Sequence, residues 1–133
     1  MARSIWKGPF VHPSLLKKID KLVLKRTEIA NWYKKNLDNV MPLKIESNVN
    51  SSWHLFIIRV MGGKVQRNKL IKSLINLGIE VNIHYIPVYR HPYHESSIRL
   101  LESEKYYNSA LSIPIFPSIT KIGITFIIII FFK

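Results

Sequence analysis

The sequence contains no cysteine among its 133 residues. Disulfide bridges and thiolate metal sites are therefore excluded, and a reducing compartment is compatible with the composition. Acidic residues are also scarce, because eight Asp and Glu stand against 20 Lys and Arg and leave a net charge of +12. A surplus of this size favours a polyanionic partner, which could be RNA, a nucleotide or an anionic membrane surface.

Several local patterns of enzymes and of exported proteins are missing as well. Gly62 and Gly63 lack the spacing of a phosphate-binding loop, and no nucleophile elbow occurs. Lys7 and Gly8 interrupt the apolar residues of the amino terminus, which is unlike a signal peptide and makes the cytoplasm the expected location. The apolar end IGITFIIIIFFK is shorter than the roughly 20 residues of a membrane span. It predicts a buried last element, or an aggregation-prone strand if it is left uncovered.

The residues that are present are sufficient for one core. Hydrophobic residues make up 47% of the chain and aromatic residues 11%, which is enough to close a single domain. Apolar residues recur at steps of three and four over residues 14–39 and predict a long helix, interrupted only at Arg26. Pro42 ends that pattern, since the residue before a proline is disfavoured in helical geometry. The apolar positions of this pattern are Leu15, Ile19, Leu22, Ile29, Tyr33, Leu37 and Val40.

The remaining elements alternate between strand and helix. The β-branched run at 51–60 predicts a strand, residues 65–79 predict a helix with Gly78 at its carboxyl-terminal cap, and residues 80–88 predict a second strand. A further helix is expected around 102–111. The order predicts an α+β fold, in which a long amino-terminal helix precedes a small, mostly antiparallel sheet with helices on one face.

The segment HYIPVYRHPYHE, residues 84–95, is the densest polar and aromatic cluster. Its histidines do not favour a metal site, because His91 and His94 flank a proline and no matching ligand pair occurs elsewhere. Tyrosines around an arginine suit a planar or phosphorylated ligand, with the Arg90 guanidinium as a forked donor and the rings as apolar walls. The alternative is a surface loop that its aromatic side chains anchor.

The amino terminus resembles a known RNA-binding family. The stretches MARSIWKGPFV and LLKKI are similar to the start of the bacterial-type small-subunit ribosomal protein family numbered nineteen, over residues 1–21. The basic groups would pair with phosphates of ribosomal RNA while the rings stack or fill a crevice. A flexible basic terminus is the alternative, and nothing after Lys21 resembles that family's core. The candidate RNA contacts are Arg3, Trp6, Lys7, Phe10, Lys17 and Lys18.

A longer resemblance covers residues 24–120. The stretches KRTEIANWYKKNL, SSWHLFIIRV, RNKLIKSLINLGIEVNIHYIPVYRHPYH and SEKYYNSALSIPIFPSIT follow the order of the small carboxyl-terminal domain of DegT/DnrJ/EryC1/StrS sugar aminotransferases. Within that family the chain is most similar to enzymes that aminate a UDP-linked 4-keto-6-deoxy sugar on the way to pseudaminic acid. The resemblance implies transamination with pyridoxal phosphate and glutamate, in an enzyme that is usually a homodimer.

The same resemblance limits what this chain can do. In the family, the lysine that binds the cofactor belongs to a large amino-terminal domain with no counterpart here, so no catalytic residue is assigned. The resemblance implies that His84, Tyr85, Tyr89 and Arg90 border the nucleotide-sugar pocket. Three segments are therefore predicted: a ribosomal-protein-like leader at 1–21, an aminotransferase small domain at 22–121 and a divergent apolar tail at 122–133.

Three hypotheses follow from these observations. The first is a fragment of a nucleotide-sugar aminotransferase that carries a grafted ribosomal leader and is inactive alone. The second is a divergent or truncated small-subunit ribosomal protein that binds ribosomal RNA through its basic amino terminus. The third is a reading frame without a stable product, which the apolar tail would make poorly soluble.

Overall fold

The computed structural model of the chain describes residues 12–38, 40–94 and 97–131. Helices α1 to α4 and strands β1 to β3 occur within these ranges. In chain order they are α1 (Pro13–Asn36), β1 (Val40–Pro42), β2 (Phe56–Val60), α2 (Gly63–Asn76), α3 (Leu101–Ser109), β3 (Ala110–Ile113) and α4 (Lys121–Ile130). Two short 3-10 turns, Val88–Arg90 and Pro92–His94, precede α3.

Helix α1 begins with a local cap and is buried only toward its end. The His12 ring accepts a hydrogen bond from the Ser14 amide, and a proline occupies the first turn. Ile29 and Tyr33 are buried, whereas the apolar residues of the first two turns are about half exposed. The predicted helix is confirmed, but it ends at Asn36 rather than at residue 39, because Val40 already pairs with β2.

The three strands form one antiparallel sheet in the order β1-β2-β3. In its register, Val40 pairs with Val60, Phe56 with Ile113 and Ile58 with Leu111. Alternation along the strands therefore places Phe56 and Ile58 on one face together with their partners from β3. Both side chains are almost completely buried.

Helices α1, α2 and α4 cover that face and build the core with it. The Tyr33 ring of α1 lies 5.1 Å from the Phe56 ring, and its hydroxyl donates to the Pro114 carbonyl at 2.9 Å. Burial raises the pKa of Tyr33, so the hydroxyl remains a donor throughout the physiological range. Leu74 of α2 is fully buried in the same cluster. The predicted α+β fold, in which a long amino-terminal helix precedes a small antiparallel sheet, is confirmed. Helices α1, α2 and α4 lie on one face, as predicted, whereas α3 lies against the other.

Helix α4 is the buried last element that the apolar tail predicted. Thr120 caps it by accepting the Gly123 amide at 3.1 Å. Ile124 and Ile127 pack into the core, which excludes the aggregation-prone strand for this segment. In the described parts of the chain, no helix is long and apolar enough to cross a membrane.

The predicted strand at 80–88 is wrong. Only a single bridge forms there, between Asn82 and Ser112. Pro87 has no amide hydrogen to donate, and the 3-10 turn that starts at Val88 bends the chain away from the sheet. The sequence reading also missed the short strand β1, and it extended the last predicted helix over residues that form β3.

Candidate functional site

A cleft of about 700 Å³ opens on the sheet face opposite the core. Ile57 of β2 forms part of its floor, because its side chain alternates with the buried Phe56 and Ile58. The segment at 84–89 provides one wall, and the start of α3 provides the other. The lining residues are Leu55, Ile57, His84, Tyr85, Pro87, Val88, Tyr89, Leu100, Glu102, Ser103 and Tyr106.

A hydrogen-bond network with β3 holds His84 at the inner end of the cleft. The His84 Nε2 atom lies 2.9 Å from the Ser112 Oγ atom. The same hydroxyl donates to the Asn82 carbonyl at 3.1 Å, and the Ser112 amide donates to that carbonyl at 2.8 Å. The single bridge at Asn82 thus fixes the imidazole relative to the sheet, although residues 80–88 form no strand.

Tyr85 presents its ring at the mouth of the cleft. Its side chain is 73% exposed, and its ring meets the His84 ring edge to face at 4.7 Å. An exposed aromatic face beside a fixed imidazole is suited to stacking on a planar ligand.

Glu104 of α3 ties together the two other predicted site residues. It accepts a hydrogen bond from the Tyr89 hydroxyl at 3.0 Å and one from the Arg90 Nε atom at 2.8 Å. A second donor of Arg90 reaches the other carboxylate oxygen, so the ion pair is bidentate. The Arg90 hydrogen bonds lower the pKa of Glu104, while desolvation and the bond to Glu104 raise the pKa of Tyr89.

Arg90 therefore differs in placement from its three companions. His84, Tyr85 and Tyr89 line the cleft, whereas Arg90 does not. Its guanidinium instead donates to the Glu104 carboxylate. Its guanidinium also lies 5.1 Å from the Tyr107 ring. The structure thus gives Arg90 a place behind the wall of the cleft, and a contact with substrate stays a prediction.

A buried arginine anchors α3 from the other side. Arg67 of α2 is only 2% exposed, and its guanidinium donates to the Tyr107 backbone carbonyl. The same group lies 5.5 Å from the Tyr107 ring. Burial lowers the pKa of Arg67. These contacts fix α3, and with it the wall that carries Glu104.

The sequence reading missed the residues that α3 contributes. Glu102, Ser103 and Tyr106 line the cleft, but the sequence predicts only a helix for the stretch that contains them. Leu55 and Ile57 had a usable signal, because alternation within the predicted strand at 51–60 places both on the face opposite Phe56.

The candidate RNA contacts lie away from this cleft or outside the described residues. Lys17 and Lys18 are exposed on α1 and do not line the cleft. The other four, Arg3, Trp6, Lys7 and Phe10, fall within residues 1–11, which the structure does not describe. Among the described residues, no group of three or more His, Asp and Glu side chains is placed to hold a metal ion.

Comparison with known proteins identifies the family. The model of the DegT/DnrJ/EryC1/StrS aminotransferase family matches residues 11–130. The chain belongs to the DegT/DnrJ/EryC1/StrS aminotransferase family. The match begins within the predicted leader at 1–21 and continues into the predicted tail at 122–133, so those two boundaries stay predictions.

Three relatives illustrate the similarity. The UDP-4-amino-4,6-dideoxy-N-acetyl-beta-L-altrosamine transaminase of Campylobacter jejuni is 35% identical over 106 residues, which cover 74% of this chain and 28% of that protein. The sugar aminotransferase Spr1654 of Streptococcus pneumoniae, solved in its PMP form, matches with a TM-score of 0.77 at 25% identity, over 89% of this chain and 32% of that one. Helicobacter pylori PseC, an aminotransferase of pseudaminic acid biosynthesis, has the same fold with a TM-score of 0.80 at 22% identity, over 100% and 42%.

The chain spans less than a third of the length of the curated relatives it matches, 28% to 30% for the first four. The family is dependent on pyridoxal phosphate. The cleft does not fit that cofactor as a covalent site, because none of the residues that line it is a lysine. We therefore derive no reaction step through the cofactor from this chain.

Proposed function

We propose that this chain is the substrate-bordering small domain of a nucleotide-sugar aminotransferase. The observation that carries the proposal is the cleft of about 700 Å³, into which His84, Tyr85 and Tyr89 project from one short segment. The resemblance of the chain to this family had marked the same three residues as the border of the nucleotide-sugar pocket. Their place in one cleft supports that assignment.

The proposed substrate is a UDP-linked 4-keto-6-deoxy sugar, which the intact enzyme would aminate with nitrogen from glutamate. The similarity to the Campylobacter jejuni transaminase supports this class of substrate. In the cleft, the exposed Tyr85 ring would stack on a planar part of the ligand, and the Tyr89 ring would form a side wall. His84, whose ring Ser112 orients, would border the sugar with the edge of its imidazole.

Amino transfer would require a lysine that binds the cofactor, and no lysine lines the cleft of this chain. Pyridoxal phosphate, when bound, stores the amino group and stabilises the negative charge that develops on the substrate carbon. The chain's own contribution is to bind and orient the sugar, and we expect no transamination by the chain alone. The homodimer that the family resemblance implies, and the cytoplasmic location expected from the amino-terminal sequence, belong to the same proposal.

Binding of a nucleotide to the purified chain tests the cleft. We expect UDP to bind saturably and to shift the NMR signals of residues around Tyr85. Tyr85→Ala should weaken this binding about tenfold, because stacking on a nucleobase contributes about 1 to 3 kcal/mol. Tyr93→Ala is the matched control, since Tyr93 is 92% exposed and lies outside the cleft. Equal loss in both variants, or no saturable binding to the wild type, would refute the cleft as the nucleotide site.

One structural observation favours the alternative hypothesis of a ribosomal protein that binds RNA. Lys17 and Lys18, which belong to the predicted leader at 1–21, are exposed on the first half of α1, where they could contact phosphates. This hypothesis predicts that the chain co-sediments with small ribosomal subunits and that added salt weakens the association. Recovery of the chain only in the ribosome-free fraction would contradict it.

A further inference from the structure

A second cavity of about 250 Å³ lies next to the cleft and shares His84 with it. Its polar lining brings together side chains from four separate parts of the chain. Arg26 comes from α1, His54 from the residues before β2, Glu80 from those after α2, and Ser112 from β3. None of the roles proposed above uses this cavity.

Arg26 is the residue that interrupts the apolar stripe of α1. Its spacing places it on the same face of the helix as Ile29 and Tyr33, which are buried. The Arg26 Nε atom is buried, and it has no hydrogen-bond partner among the described residues. Because a guanidinium always carries its protons, this atom is a donor without an acceptor. A buried donor of this kind costs free energy unless an acceptor is bound to it.

His84 contributes a complementary atom to the same cavity. Ser112 has a single hydroxyl proton, which it donates to the Asn82 carbonyl. The 2.9 Å contact between Ser112 Oγ and His84 Nε2 forms at the same time only if Nε2 is the donor. In the neutral imidazole, Nδ1 is then an acceptor, and this atom is likewise buried without a partner among the described residues.

We propose that this cavity binds a singly protonated phosphate group. Such a group has oxygens that accept from the Arg26 Nε atom and a hydroxyl that donates to the His84 Nδ1 atom. A carboxylate at neutral pH offers acceptors only, so it would satisfy Arg26 and leave His84 unpaired. The carboxylate of Glu80, which also lines the cavity, disfavours a fully ionised phosphate over the protonated form.

Titration of the chain with inorganic phosphate at constant ionic strength tests this site. We expect a saturable shift of the Arg26 Nε–H signal and of the His84 ring signals in NMR spectra. Acetate should bind at least several-fold more weakly, since it has no proton for His84. Absence of a saturable response in the folded wild type, or an equal response to acetate, would overturn the proposal.

Two variants that each remove one positive charge distinguish binding at this site from non-specific attraction of phosphate to a basic protein. Arg26→Met should weaken phosphate binding about tenfold or more, the loss expected for a charge-assisted hydrogen bond. Lys25→Met is the control, because Lys25 is exposed and does not line the cavity. Equal affinity in the two variants would refute the site. The wild-type titration decides the question by itself if Arg26→Met fails to fold.

A second titration distinguishes the source of the phosphate. UDP added to phosphate-saturated protein should displace the phosphate if the group belongs to a nucleotide. If phosphate and UDP bind together without competition, the site takes a free phosphate. Both outcomes support the site, and neither depends on the Tyr85 variant that tests the proposed function.

Discussion

Glu104 is central to the candidate site, although no pattern in the sequence indicates it. Its carboxylate joins Tyr89 and Arg90 of the segment before α3 to the helix itself. The side chain is only 16% exposed. This one residue therefore holds a wall of the cleft in place across 14 residues of chain.

Replacement of Glu104 by Gln should make the free energy of unfolding less dependent on pH in the acidic range. The pKa of Glu104 is lowered in the folded state, so its stabilising effect is complete above the ordinary value of 4.5 and declines as the pH falls through the folded-state pKa. We expect Glu104→Gln to be less stable than wild type at pH 7, with the difference shrinking at lower pH. Thermal unfolding at several pH values measures it.

Glu102→Gln is the matched control for that experiment. Glu102 pairs with Lys105 on the surface of the same helix, and its side chain is 81% exposed. A surface pair of this kind contributes little to stability. A pH-dependent loss as large in Glu102→Gln as in Glu104→Gln would contradict the role assigned to Glu104.

Tyr33→Phe isolates a single buried hydrogen bond. The variant keeps the ring contact with Phe56 but leaves the Pro114 carbonyl without its donor. We expect the free energy of unfolding to fall by about 1 to 2 kcal/mol, as measured by urea denaturation. Tyr93→Phe should change it by less than about 0.5 kcal/mol, because Tyr93 is 92% exposed. A neutral Tyr33→Phe would show that the hydroxyl does not hold α1 to the chain after β3.

At the scale of elements, α4 shows how a mostly apolar stretch can form one helix of a folded domain. Ile127 is 3% exposed, whereas Ile129 on the same helix is 50% exposed. One face of the helix closes the core against α1 and α2, and the other remains at the surface. The apolar run therefore reflects the burial of one face of α4 in the core.

Two alanine substitutions in α4 test this division. Ile127→Ala should lower the free energy of unfolding by about 2 to 4 kcal/mol, since it removes core methyl groups and leaves a cavity. Ile129→Ala, the same chemical change at the surface, should cost about 1 kcal/mol or less. Urea denaturation compares them. Equal losses would contradict the packing of α4 described here.

The elements also show which parts of the site can be predicted from sequence. Helix α1 and strand β2 were predictable because their apolar residues recur at regular intervals. In the strand predicted at 51–60, this alternation also predicts that Leu55 and Ile57 lie on the face opposite Phe56. The strand expected at 80–88 was not, because Val81 and Ile83 alternate as in a strand while Pro87 and the following 3-10 turn prevent further pairing. The contribution of α3 to the cleft depends on contacts of Arg67 and Arg90 with residues 14 to 40 positions away, which no local pattern reports.

At the scale of the whole molecule, the domain carries a cleft but no lysine that lines it. Two thirds or more of the length of its curated relatives has no counterpart in the match. The family membership and the cleft together support the proposal that this domain borders the substrate pocket while other residues hold the cofactor. The surplus of 12 positive charges suits the phosphates of a nucleotide sugar.

The most direct test of this account mixes the purified chain with pyridoxal phosphate and records the absorption spectrum before and after borohydride reduction. We predict no aldimine absorbance beyond that of surface lysines, and no single lysine modified in the peptide map after reduction. A stable Schiff base that survives reduction at one lysine would contradict the central claim, because the chain would then hold the cofactor by itself.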